Sequence, residues 1–229
     1  MRTPGHIRRP AARLLLAALL APWLAMWTGC ASYADRTEDA LADFRGGDFA
    51  SAADEYADDD VTRSAFLSGV EAGTAWFTAG EWQAARQAFE QALRATEDIE
   101  GRALVSANAL GEGLSSWLLN DSRHAYQGEG FERVYMHVFL GLCYLAEGKL
   151  EDVLVEVRLA NRLLEVEEEL YEHEYAAGGL GHFLSAITYE LLGQPDDAFI
   201  DYMRMADKGV GRDIAGPALV RLAKLTRRD

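Results

Sequence analysis

The chain has 229 residues, 49% hydrophobic and 26% charged, with a formal net charge of −15. That size and balance suit one sizeable folded domain. Residues 1–29 hold four arginines and no acid, so the remainder carries 18 basic and 37 acidic side chains, a net of −19. A body this acidic repels nucleic acid and anionic head groups within a Debye length, which counts against nucleic acid and favours a basic partner.

Residues 1–29 read as an export signal. Arginines come first, an apolar run follows over 14–27, and Thr28 and Gly29 are small. The run is short for a membrane span and Pro22 interrupts it. Trp27-Thr28-Gly29-Cys30 resembles the lipobox of bacterial lipoproteins, although Trp27 stands where Leu is usual. The resemblance implies a signal peptide over 1–29, cleaved before a Cys30 that carries two or three acyl chains of the palmitate class. Each buried CH₂ contributes about 0.8 kcal/mol, so such a set anchors stably. Ala31, rather than Asp, follows the cysteine, which by resemblance to the enteric sorting rule implies the periplasmic face of the outer membrane. The alternatives are a secretory signal cut near Ala34 and an uncleaved anchor.

Residues 30–38 form the lipidated tether, and 39–229 read as one α-helical solenoid. Ala40, Leu41 and Phe44 precede Gly46-Gly47-Asp48-Phe49, and Ala52, Ala53 and Tyr56 follow. The pattern returns 33 residues after Gly47, as Gly73, Trp76, Gly80-Glu81-Trp82, Ala85, Phe89 and Ala92. It returns 68 residues after Gly80, as Gly141, Tyr144, Gly148-Lys149-Leu150, Val153, Val157 and Ala160. A fourth copy holds Ala186, Tyr189, Gly193-Gln194-Pro195, Ala198, Tyr202 and Met205. A small residue, an aromatic, a turn glycine and an alanine at fixed offsets resemble the tetratricopeptide repeat. Small side chains let two helices approach, and the glycine supplies a positive φ at the turn. The spacing predicts an all-α, tetratricopeptide-like helical-hairpin solenoid of about ten helices. The aromatics Trp76, Trp82, Trp117 and Tyr144 are expected between helices.

Two pieces break the period. Residues 100–119 predict a longer helix, and an irregular insert near 100–130 follows the second copy. Residues 165–181 give an acidic helix extension and a glycine-rich break; the acidic run is a solvated face or a strip for a basic partner. Insertions in a solenoid often shape the binding face. In the tail, Pro217 is expected in the first turn of a capping helix, with Leu219, Leu222 and Leu225 over the last hairpin. Cys143, in an apolar run, is expected as a small core residue.

Asn120-Asp121, Tyr126-Gln127-Gly128-Glu129, Phe131-Glu132-Arg133, His137 and Val155-Glu156-Val157-Arg158 form one block. Tyr189-Glu190 and Asp197-Ala198-Phe199-Ile200-Asp201-Tyr202 form a second. Over residues 30–208 the chain resembles a family of uncharacterised proteobacterial outer-membrane lipoproteins with tetratricopeptide-like repeats, through these two blocks. The resemblance implies a location and a fold rather than an activity. Longer members of that family carry a further C-terminal region.

The candidate partner- or ligand-binding residues are Asn120, Asp121, Arg123, Tyr126, Glu129, Glu132, Arg133, His137, Glu156 and Arg158. Glu129, Arg133 and His137 recur every fourth residue and share a helical stripe, with Phe131, Val134, Val138 and Leu142 on the packed side. Glu156 interrupts an apolar run and requires a partner, for which Arg133 and Arg158 are the expected ones. These groups read either as a polar groove or as an ion-pair network pinning the insert. Glu129 and Glu132 could span the carboxyl separation that glycoside hydrolysis needs, as could many helical pairs. No nucleophile elbow, phosphate loop or HExxH occurs, and the histidines match no zinc spacing. The expectation is a non-catalytic adaptor, without metal or cofactor, that binds a peptide segment of another envelope protein. The alternative is a glycan- or small-molecule-binding lipoprotein, or a glycan-cleaving one, using the loop 120–133.

Overall fold

The computed structural model describes residues 32–108, 126–171 and 178–226. The candidate lipidation site Cys30 and the signal segment lie outside the described residues, as do Asn120, Asp121 and Arg123. Among the described residues all regular structure is helical, in eleven helices with no strand. The chain divides into two compact units, Met1–Arg36 and Thr37–Asp229. In the first, helix α1 (Tyr33–Arg36) is opened by Ser32. The Ser32 amide donates to Asp35 Oδ2 at 2.8 Å and the Asp35 amide donates to Ser32 Oγ at 3.2 Å, a reciprocal cap.

The second unit holds α2 (Glu38–Gly46), α3 (Phe49–Tyr56), α4 (Asp59–Thr62), α5 (Ala65–Ala79), α6 (Trp82–Asn108), α7 (Gly130–Ala146), α8 (Leu150–Tyr171), α9 (Gly179–Leu191), α10 (Pro195–Asp207) and α11 (Arg212–Thr226). Local chemistry starts them. Asp48 caps α3 by accepting from the Ser51 amide at 3.2 Å, Ser64 caps α5 by accepting from the Leu67 amide at 3.1 Å, and Pro195 opens α10. Gly47, Gly80, Gly148 and Gly193 follow the first helices of four pairs, with φ of +85°, +81°, +74° and +69°. These left-handed turns let α2/α3, α5/α6, α7/α8 and α9/α10 fold back on each other.

The small residues sit where the offsets put them. Ala40, Gly73, Gly141 and Ala186, seven before each turn glycine, are all buried. Ala52, Ala85, Val153 and Ala198, five after it, are fully buried. At Gly73 a Cβ would come within 2.8 Å of the Phe89 ring, and at Gly69 within 2.6 Å of the Ala88 carbonyl oxygen. Those contacts are the close approach that the pattern predicts.

The core is four linked clusters. Ala40, Ala52, Ala53 and Tyr56 meet Ala72 and Ala75 of α5. Phe66 of α5 joins Ala85, Phe89 and Ala92 of α6 and Met136, Leu140 and Cys143 of α7. Val134 and Val138 of α7 join α8 and Leu184 of α9. Ala186 of α9 then joins α10 and α11. The first helix of each internal pair therefore contributes to two clusters.

Residues 100–108 are helical as the end of α6, and the rest of the stretch expected as a longer helix lies outside the described residues. Three expectations are corrected. Pro217 lies inside α11 rather than in its first turn, because α11 begins at Arg212 and buries Ala215 before the proline is reached. Leu222 is buried and Leu219 half-buried, but Leu225 is 64% exposed, turned past the edge of the packed face. Phe131 is exposed, since α7 turns Val134 and Val138 inward instead.

Candidate functional site

Of the insert, residues 100–108 extend α6 and residues 126–129 form the short approach to α7. The Ser64 hydroxyl donates to the Tyr126 carbonyl, so the cap of α5 also holds this segment. The Tyr126 and Phe66 rings meet edge-on, with centroids 6.3 Å apart. Gly128 has φ +80°, and a Cβ there would lie 2.4 Å from the Phe66 ring. Both its conformation and the available space demand glycine.

Glu129 is the N-cap of α7 and forms a capping box with Glu132. The Glu129 amide donates to Glu132 Oε2 at 2.9 Å, and the Tyr126 hydroxyl donates to the same carboxylate. Burial, with Glu132 beside it, pushes the Tyr126 phenol up to about 12, so it remains a donor at neutral pH. Acids at a helix N-terminus are favoured by the local dipole.

Arg133, one turn further, is buried. Its Nη1 donates to the Gly128 carbonyl at 2.5 Å, and Nη2 lies 3.7 Å from Glu167 Oε1. Its Nε is a buried donor that meets no acceptor. The Glu167 carboxyl fills the space above Gly130, where a Cβ would come within 1.7 Å of it. Burial raises the pKa of Glu167 and Glu129 adds to the rise, while Arg133 opposes it.

The partner of Glu156 is neither Arg133 nor Arg158. It is His137, whose Nδ1 lies 2.6 Å from Glu156 Oε2, with both residues buried. His137 lies eleven residues before Gly148 and Glu156 eight after it, which brings them level across the α7/α8 pair. Arg158 instead lies over the Tyr189 ring, 5.8 Å from its centroid, and donates to the Tyr189 hydroxyl at 2.9 Å. The residues at 126–133 are thus drawn together around the start of α7, His137 and Glu156 form a separate buried pair, and Arg158 belongs to the α8–α9 contact.

Three groups escaped the sequence reading. Ser64 and Glu167 are distant in sequence from the loop that they hold. The third is a second buried pair. His182 Nδ1 lies 3.0 Å from Asp201 Oδ1, and the Ser185 hydroxyl donates to Asp201 Oδ2 at 2.7 Å. His182 and Asp201 stand at the same offsets from Gly193 as His137 and Glu156 do from Gly148, and that repetition could have revealed them. In α5/α6 the same offsets hold Gly69 and Ala88, where a Cβ on Gly69 would come within 2.6 Å of the Ala88 carbonyl oxygen.

Another polar network joins successive pairs. Arg86 donates to Glu147 Oε1 at 2.8 Å and to Glu90 Oε1 at 2.6 Å, and its guanidinium lies over the Tyr144 ring. The Tyr144 hydroxyl donates to Glu90 at 3.1 Å. Hydrogen bonds from Lys149 and Arg86 hold the Glu147 carboxyl below its ordinary range.

These contacts bind helices to one another. Glu129 and Glu132 are engaged in the cap of α7 rather than facing each other across a cleft. Among the described residues no group of three or more His, Cys, Asp or Glu side chains is placed to hold a metal ion, and no helix is long and apolar enough to cross a membrane. Comparison of the chain with protein-family models, with curated proteins and with solved structures gives no match in any of the three.

Proposed function

We propose that the chain is a non-catalytic adaptor of the bacterial cell envelope. It is a tetratricopeptide-like solenoid, hung by acylated Cys30 on the periplasmic face of the outer membrane, that grips a peptide segment of another envelope protein. The observation that carries this reading is the shared register of four helix pairs, with left-handed turn glycines and buried small residues at the same offsets. Stacked pairs in one register present equivalent side chains at regular intervals, which suits an extended peptide. The polar groups at 126–133 weigh in the same direction. Tyr126, Glu129, Glu132 and Arg133 hold each other and the backbone, whereas a glycan or small-molecule site needs such groups turned toward a ligand. The lipid anchor rests on the sequence around Cys30.

The test is photo-crosslinking in living cells, with probes at Asn120 and at the exposed positions Tyr126 and Glu169. Discrete protein adducts are expected, and recovery of no protein partner overturns the adaptor role. Labelled fatty acid should enter the intact chain and be lost in Cys30→Ser. Incorporation that survives the substitution removes the proposed anchor.

A further inference from the structure

Helix α11 carries two opposed stripes. Ala215, Ala218 and Leu222 are buried against α9 and α10. Asp213, Gly216, Pro217, Val220 and Lys224 are all exposed, Val220 by 60%. Their spacings of three, four, seven and eleven from Asp213 put them on one side of the helix. A Cβ built on Gly216 would meet nothing within 4 Å. Neither Asp213 nor Lys224 enters an ion pair among the described residues, whereas Arg221, on the flank, is held by Glu190 of α9.

This stripe has an acid near one end, a base near the other and small or apolar residues between. That order is complementary to itself when reversed. We propose that a second copy of this chain docks antiparallel on the outer face of α11, with Asp213 of each copy against Lys224 of the other. Pairing about the midpoint of Ala218 and Leu219 sets both charge pairs at once and puts Val220 of each copy against Pro217 of the other. Gly216 lets the helix backbones approach there. The contact is isologous and closes as a two-fold dimer. One helix about 22 Å long offers less surface than the roughly 800 Å² per partner of a lasting dimer. The association is therefore weak, with a dissociation constant on the order of 0.1 mM, and salt screens both its charge pairs and the general repulsion between two acidic bodies. It does not depend on the adaptor reading.

The experiment is sedimentation equilibrium of the full chain up to about 1 mM, at physiological salt, where repulsion between the acidic bodies is screened, on four samples with helicity checked by circular dichroism. The wild type should dimerise. Asp213→Lys and Lys224→Asp should each weaken self-association about tenfold or more, because each puts like charges together at both ends. An equimolar mixture of the two variants should recover wild-type association, since both charge pairs re-form between unlike copies. A wild type that stays monomeric at 1 mM overturns the proposal and leaves α11 to a different occupant. So do single variants that associate like the wild type, or a mixture no stronger than its components.

Discussion

His137 and Glu156 are fully or nearly fully buried and 2.6 Å apart. Removing His137 takes from the buried Glu156 carboxylate the partner that it meets at 2.6 Å, which is far costlier than replacing both residues. His137→Ala is expected to lower the unfolding free energy by about 3 kcal/mol, read by urea denaturation. A double replacement by apolar residues of similar size should cost less than that single one. Glu167 makes a prediction of the opposite kind. Its pKa is raised by burial, so the folded state binds the proton more tightly than the unfolded chain does. Its ionisation therefore destabilises the fold above the folded pKa, and that penalty is relieved as pH falls from there to the ordinary carboxyl value. Relative to Glu167→Gln, the wild type should gain stability across that window on acidification. Denaturant midpoints measured for both chains over the pH range check this, and a gain on raising the pH would reverse the assigned sign. The sequence exposed Glu156 as a charge needing a partner, but its nearest arginines have other work. Only the offset from the turn glycine identifies His137.

At the scale of the helix pair, glycines separate into two kinds. Gly148 is needed for its backbone, since its φ is +74° while a Cβ would meet nothing within 4 Å. Gly148→Ala should therefore cost only about 1 kcal/mol, as a strain term. Gly69 is needed for space, because a Cβ would press on the Ala88 carbonyl oxygen and the Ala92 backbone at 2.6 Å. Gly69→Ala forces α5 and α6 apart and should cost about 3 kcal/mol, as overpacking at a rigid contact does. Thermal or urea unfolding of both variants distinguishes these cases, and equal losses would contradict the division. The turns and the small residues beside them were legible because each has a local physical requirement. The start of α11 was not. Pro217 signals a first turn, yet burial of Ala215 draws the helix back to Arg212. The capping box at Glu129 and Glu132 was open to view as spacing, but the hold of Ser64 on Tyr126 links residues 62 apart.

Across the second unit, successive clusters are coupled because α5, α7 and α9 each belong to two of them. Damage to one cluster therefore reaches its neighbour through a shared helix. Phe89 is 1% exposed, lies against Gly73 and stacks on Phe139 at 6.0 Å. Phe89→Ala should cost about 3–5 kcal/mol. The whole helical signal should still be lost in one transition, since neighbour coupling of this kind favours cooperative unfolding. Circular dichroism and aromatic fluorescence followed together in urea measure this. Separate midpoints for the two signals would show that the clusters melt independently. The helical class and the pairing were readable from periodicity. The linkage was not, because it depends on which side of each first helix meets its predecessor.

Cys143 gives this linkage a built-in clock. Its thiol is fully buried among Phe66, Phe89 and Leu140, and burial pushes its pKa up to about 12. An alkylating reagent can reach that sulfur only when α7 lifts from α5 and α6, and only the thiolate reacts. The pace of modification at position 143 thus counts openings of the packing between α7 and its neighbours, without any change to the sequence.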